Sequence, residues 1–248
     1  MKLSQATNVI ERSERFEESN FTIEATAKTF MVLSDTLYSN KIKAVIRELS
    51  TNAYDSHVDN GNPNVPFDVH LPNSMEPTFS IRDYGTGLSH EDCTSLYTTY
   101  FKSNRTNTNE ATGCFGLGSK SPFAYNDSFT VESFFNGMHR TYSAYKNERE
   151  EPVFALMSEK ETEEQNGLKI SFPVKSGTYD NDFDEFQEYA EEVYQYFKVK
   201  PNVSGAELNI EELEKTIHHE GEWAFYKEAR NTTGGSIAIM GQVAYPID

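Results

Sequence analysis

Only two cysteines, Cys93 and Cys114, occur in 248 residues, so no disulfide framework is expected. No Cys/His spacing suits a metal site, and the adjacent His218 and His219 read as solvated. No apolar run approaches the roughly 20 residues that cross a bilayer. The opening Met1-Lys2-Leu3-Ser4-Gln5-Ala6-Thr7 lacks the apolar core of a secretion signal. A soluble, intracellular protein is expected. Basic residues are few: 22 Lys and Arg stand against 39 Asp and Glu, a formal net charge of −17. A general electrostatic grip on nucleic acid or an anionic membrane is therefore disfavoured. What the chain does have is apolar mass. With 37% hydrophobic residues, 17 Phe and 14 Tyr, it can build a sizeable core, and disorder throughout is not expected.

Three short segments carry the chemistry. The first is Glu48-Leu-Ser-Thr-Asn52-Ala-Tyr-Asp55. Ile42, Val45, Ile46, Leu49 and Ala53 recur at helical spacing, so a helix starts near Lys41. Glu48, Asn52 and Asp55 then share one stripe, roughly 110° round from the apolar centre. A carboxylate beside a carboxamide suits a general base next to a metal ligand; the same pattern also suits a solvated helix face. The second segment is Thr78-Phe-Ser-Ile-Arg-Asp83-Tyr-Gly85-Thr-Gly87. Phe79, Ile81 and Asp83 alternate, so Asp83 leaves a strand on its buried side and needs a partner. Gly85 and Gly87 permit a sharp turn and close approach of a ligand, or simply a tight turn. The third is Thr112-Gly113-Cys-Phe-Gly116-Leu117-Gly118-Ser119-Lys120. A glycine loop running into a helix start offers N–H groups to phosphate. Its spacing matches neither a dinucleotide fingerprint nor a P-loop.

Taken together and in this order, the three segments resemble the nucleotide-binding boxes of the GHKL ATPase superfamily, over about residues 42 to 174. Glu48, Asn52 and Asp55 match its first box, Asp83, Gly85 and Gly87 its second, and Gly113, Gly116 and Gly118 its third. Three further segments, Tyr38–Glu48, Gly116–Tyr125 and Ala244–Asp248, resemble the N-terminal part of the bacteriophage rIIA family. Members of that family are longer than this chain, which implies that the sequence is part of a longer protein.

The resemblance implies roles. Glu48 would be the base that activates water, and Asn52 would hold Mg²⁺ on the phosphates of ATP. Asp83 would accept the adenine amino hydrogen, with Gly87 keeping the wall open to the base. Gly116 and Gly118 would supply phosphate N–H donors, flanked by Gly113, Leu117 and Ser119, while Asp55 and Gly85 would support the pocket. Lys102 and Lys120 are candidate phosphate partners; each also reads as an ordinary solvated lysine. One position departs from the pattern. The family's late Gly-Thr is Gly167-Leu168 in this chain, and a leucine side chain cannot donate the hydrogen bond that a threonine would give to Asp83.

The expected architecture is a two-layer α/β (α+β) sandwich of the Bergerat type, a mixed β-sheet covered by helices on one face. Helices are expected at Glu24–Asn40, from Lys41, and at Phe183–Phe197. Strands are expected around Phe67–Leu71, before Asp83, and at Phe129–Phe135, Arg140–Tyr145, Pro152–Met157 and Leu168–Val174. The polar stretch 88–112 suits a mobile lid. Residues 1–200 are expected to form the ATP-binding domain that the resemblance implies. After Pro201 and Gly205, residues 201–248 read as an extension or the start of a second, transducer-like domain, with strands at Ser236–Met240 and Gln242–Tyr245.

As to function, the resemblance implies a slow Mg·ATP-hydrolysing switch in the host cytoplasm. It would protect a phage against host exclusion and influence lysis, acting as a homodimer or with an rIIB-like partner, and meeting a membrane only through a partner. The acidic runs Glu148–Glu164 and Asp180–Glu192 read as solvated faces. They also suit a nucleic-acid-like surface that occupies a host defence or DNA-processing protein, with nucleotide structural or absent.

Overall fold

The computed structural model describes residues 26–32, 38–100, 117–177, 180–210, 215–218, 224–226, 236–240 and 242–247. Helix α1, Ala27–Met31, falls within the expected Glu24–Asn40, of which residues 24–25 and 33–37 lie outside the described residues. Its N-cap Thr26 accepts from Thr29 N–H, and Tyr38–Asn40 are not helical. Helix α2 spans Lys41–Asp59, and the Asn40 side chain caps it by accepting from Lys43 N–H at 2.9 Å. Such a cap is worth about 1 kcal/mol. The apolar stripe of α2 is buried throughout, with Val45 and Ile46 at 0% exposure. Burial of each contributes about 1.5–3 kcal/mol.

The sheet has seven strands: β1 (Asp68–His70), β2 (Thr78–Arg82), β3 (Ser128–Phe135), β4 (Met138–Lys146), β5 (Pro152–Glu161), β6 (Gly167–Pro173) and β7 (Asn202–Ser204). Their order is β5-β4-β3-β6-β2-β1-β7. Every pair is antiparallel except β1 with β7, which is parallel. The main sheet therefore continues past Pro201, beyond the expected domain limit at residue 200. β3 and β4 meet in a two-residue turn, where Asn136 (φ 50°) and Gly137 (φ 78°) both take the left-handed backbone that a primed hairpin turn needs.

Alternation divides the sheet into two faces. Phe79, Ile81, Phe129, Val131, Tyr142, Ile170 and Phe172 are buried on one of them. Helix α2 packs on this face with α4 (Pro122–Tyr125) and α5 (Phe183–Tyr194). Phe186 of α5 lies 5.1 Å from Phe79, ring centre to ring centre, and Ser50 of α2 hydrogen-bonds the buried Tyr194 hydroxyl at 3.0 Å. The opposite face carries Ser80, Ser171, Thr130 and Ser143 in one cross-strand row. The result is a two-layer α/β sandwich.

Two expectations need correction. The stretch 88–112 is not wholly irregular: Ser89 caps a helix α3, His90–Thr98, whose Cys93 and Tyr97 are buried. Tyr97 stacks on Phe154 of β5 at 5.0 Å. Strand β5 runs on to Glu161, beyond the expected end at Met157. The two expected C-terminal strands are present: β10 (Ser236–Met240) and β11 (Val243–Ile247) pair with each other, following a separate pair β8 (Lys215–His218) and β9 (Ala224–Tyr226). Gln242 is buried and accepts from Lys198 N–H at 2.9 Å, tying this hairpin to the segment after α5. Among the described residues, no helix is long and apolar enough to cross a membrane.

Candidate functional site

One stripe of α2 meets both of the other motifs. Glu48, Asn52 and Ser56 stand at i, i+4 and i+8, one above another on the helix surface. The short 3₁₀ turn Gly118–Lys120 leans on the first two. A Cβ at Gly118 would lie 2.8 Å from Glu48 Oε2 and 3.4 Å from the Asn52 side chain. Glycine is therefore what lets this turn approach. At the far end of the stripe, Ser56 Oγ donates to Asp83 Oδ1 at 3.0 Å. Eight helical residues place these two ends about 12 Å apart. Asp55 lies beside the stripe and is buried.

Asp83 is 5% exposed and its carboxylate is held by three donors. Oδ1 takes Gly85 N–H at 3.0 Å as well as Ser56, and Oδ2 takes Leu168 N–H at 3.2 Å. Burial pushes its pKa upward, and the Gly85 and Ser56 hydrogen bonds and the Arg82 charge oppose that. The main chain of Leu168 thus gives Asp83 a hydrogen bond that the leucine side chain cannot. Leu168 O also accepts from Asp83 N–H at 2.9 Å, so the two residues are bonded in both directions.

The two glycines after Asp83 serve close packing. A Cβ at Gly85 would overlap Ser56 Oγ. Gly87, at φ +67°, lies against the Phe134 carbonyl and Gly167 N. Its small size admits strand backbone at that point, a different contact from the open wall expected of it. His57 is fully buried next to the stripe. Its Nδ1–H donates to Val65 O at 2.8 Å, and its Nε2 accepts from Tyr84 N–H at 2.7 Å. These two bonds assign the tautomer.

Lys120 is buried, at 4% exposure, which corrects the solvated reading. Its ammonium donates to Thr99 O at 2.9 Å and lies 5.7 Å from the Tyr100 ring centre. Burial pulls its pKa down to about 8. Ser119 Oγ and Ser121 Oγ on either side are buried without a hydrogen-bond partner among the described residues. A buried ammonium between two hydroxyls with spare donors suits a bound anion. Leu117 precedes the turn and is half-buried. Lys102, Gly113 and Gly116 lie outside the described residues.

Glu48 is also engaged by Arg47, whose Nη2 donates to Oε1 at 2.8 Å. Among the described residues, no group of three His, Cys, Asp or Glu forms a metal cage. A carboxamide and a carboxylate at the glycine turn fit Mg²⁺ in its usual mode, held by few protein oxygens and by substrate phosphates. Two functional candidates were missed in the sequence: Ser56, which looks like one more polar residue on a helix, and Arg82, whose partner Gln165 lies 83 positions away in the chain. No protein-family model and no curated protein matches the chain.

Proposed function

We propose that this chain is a GHKL-type ATP-binding domain with a Bergerat fold, akin to phage rIIA proteins, that binds Mg·ATP and hydrolyses it slowly as a conformational switch. The observation that carries this reading is the double contact of the α2 stripe. Glu48 and Asn52 meet the glycine turn while Ser56 meets Asp83, so one helix face joins a base-recognition end to a phosphate end. The separation of about 12 Å is on the scale of an extended nucleoside triphosphate. In this reading Asp83 accepts from the adenine amino group. Ser119, Lys120 and the Gly118 turn hold phosphate, Asn52 holds Mg²⁺, and Glu48 takes the proton from the attacking water. The metal would supply charge neutralisation on the phosphates. The output is protection of the phage against host exclusion, through a second copy or an rIIB-like partner. Phosphate release tests the base: Glu48→Ala should retain ATP binding and lose turnover, and turnover at the wild-type rate in that variant removes the assignment.

A second reading is favoured by one feature, the sheet edge at β5. Among the described residues no strand pairs with its outer side. Leu156 and Met157 are exposed there, between acidic turns at Glu148–Glu151 and Glu161–Glu164. Such an edge suits an acidic binding module that occupies a host defence or DNA-processing protein by strand addition. Capture of one host protein, unchanged by ATP, by Glu48→Ala and by Asp83→Asn, would favour it over the switch.

A further inference from the structure

The sheet end that presents Asp83 is built around a buried arginine. Arg82 is 8% exposed. Its Nη1 donates to Asp83 O, and its Nη2 donates to Gln165 O at 2.7 Å. The guanidinium lies between two rings, 4.0 Å from the Phe134 centre and 4.8 Å from that of Tyr84. Phe134 is itself backed by His139, stacked at 4.3 Å and 8°. A planar cation that both stacks and forks into two carbonyls is a role specific to arginine.

Through Gln165, Arg82 holds the segment that leads into Leu168, a donor to the carboxylate. Gln165 Nε2 donates to Tyr84 O at 3.2 Å, and Asn166 Nδ2 donates to Thr86 O at 3.3 Å. Gly167 passes so close that a Cβ on it would overlap both Asp83 O and Arg82 Nη1. The segment 165–167 is thereby laid across residues 82–86, and Leu168 emerges with its N–H on Asp83 Oδ2. We infer that Arg82 is a positioning residue for base recognition. It clamps the start of β6 so that the Leu168 main chain completes the Asp83 carboxylate and leaves it aimed at the amino group of an aminopurine. This rests on the nucleotide reading above. Arg82 touches no base; it acts through Asp83 and Leu168.

The test compares ATP with inosine triphosphate, which carries a carbonyl in place of the amino group, by calorimetry on the full chain with Mg²⁺. Wild type should bind ATP about 10–100-fold more tightly, the usual penalty for leaving a charged acceptor unpaired. Arg82→Met should lower ATP affinity about tenfold and change inosine triphosphate less than about twofold, so that the preference falls about five- to tenfold. An arginine that merely stabilises the fold would move both ligands together, and an unchanged preference in Arg82→Met overturns the inference. Should Arg82→Met fail to fold, Arg82→Lys, which keeps the charge and loses the fork, should show a preference between the two; the full wild-type preference in it overturns the inference as well. Wild type that binds both nucleotides equally removes amino recognition by Asp83, and with it the inference. Wild type that binds neither removes the nucleotide reading itself.

Discussion

Ser56 Oγ donates to Asp83 Oδ1 at 3.0 Å, from the same stripe of α2 that carries Glu48 and Asn52. This bond ties the helix to the residue that follows β2. Ser56→Ala removes one of three donors to a buried carboxylate, and the expected cost is about 1–3 kcal/mol of stability. Urea denaturation would measure it. A change under about 0.5 kcal/mol, the ordinary surface value, would show that Ser56 is not part of the Asp83 site.

Gly118 stands against Glu48, and its substitution separates folding from chemistry. In Gly118→Ala the new Cβ would lie 2.8 Å from Glu48 Oε2. The carboxylate is the free end of a flexible side chain, so the fold should hold while Glu48 moves. In the nucleotide reading Glu48 is the base, and its misplacement by about 1 Å can cost on the order of 100-fold in rate. The expected result is unchanged circular dichroism and thermal midpoint with phosphate release reduced to that extent. Wild-type turnover would contradict the contact between turn and base.

Lys120 should leave a signature in the pH dependence of stability. Its folded pKa is near 8, below the ordinary value of 10.5. Between those values the unfolded chain binds more protons than the folded one, so stability should rise with pH across about 8 to 10.5. Below pH 8 the cost of burying the ammonium is fully present. Lys120→Met, which keeps the volume and removes the charge, should flatten this rise relative to wild type. It should also add on the order of 2 kcal/mol at pH 7. Parallel pH profiles for the two proteins would show that Lys120 is solvated in solution. In the nucleotide reading the same variant should bind ATP more weakly despite its greater stability.

Elements with strong periodicity were legible from the chain alone. Helix α2 announces itself through Ile42, Val45, Ile46, Leu49 and Ala53, all buried. The placement of Asp83 followed from the alternation of Phe79 and Ile81. What escaped were relationships that cross the sheet. Arg82 finds Gln165 and Phe134 only because β2, β6 and β3 are neighbours. The leucine side chain cannot serve Asp83, and the register that pairs Arg82 with Lys169 brings the Leu168 N–H there instead. Helix α3 carries little apolar periodicity, and its Ser89 cap was the one local sign of it. Lys120 reads as a surface lysine in any local window and is buried because the glycine turn packs under α3 and α2.

The most direct measurement is calorimetric titration of the full chain with Mg·ATP, for wild type and for Asp83→Asn. The predicted result is saturable one-site binding by wild type. In Asp83→Asn, which keeps the shape and removes the anionic acceptor, binding should be lost or weakened at least about tenfold. Saturable binding of equal affinity in both proteins would contradict the placing of the base at Asp83. No binding by a folded wild-type chain would contradict the account as a whole.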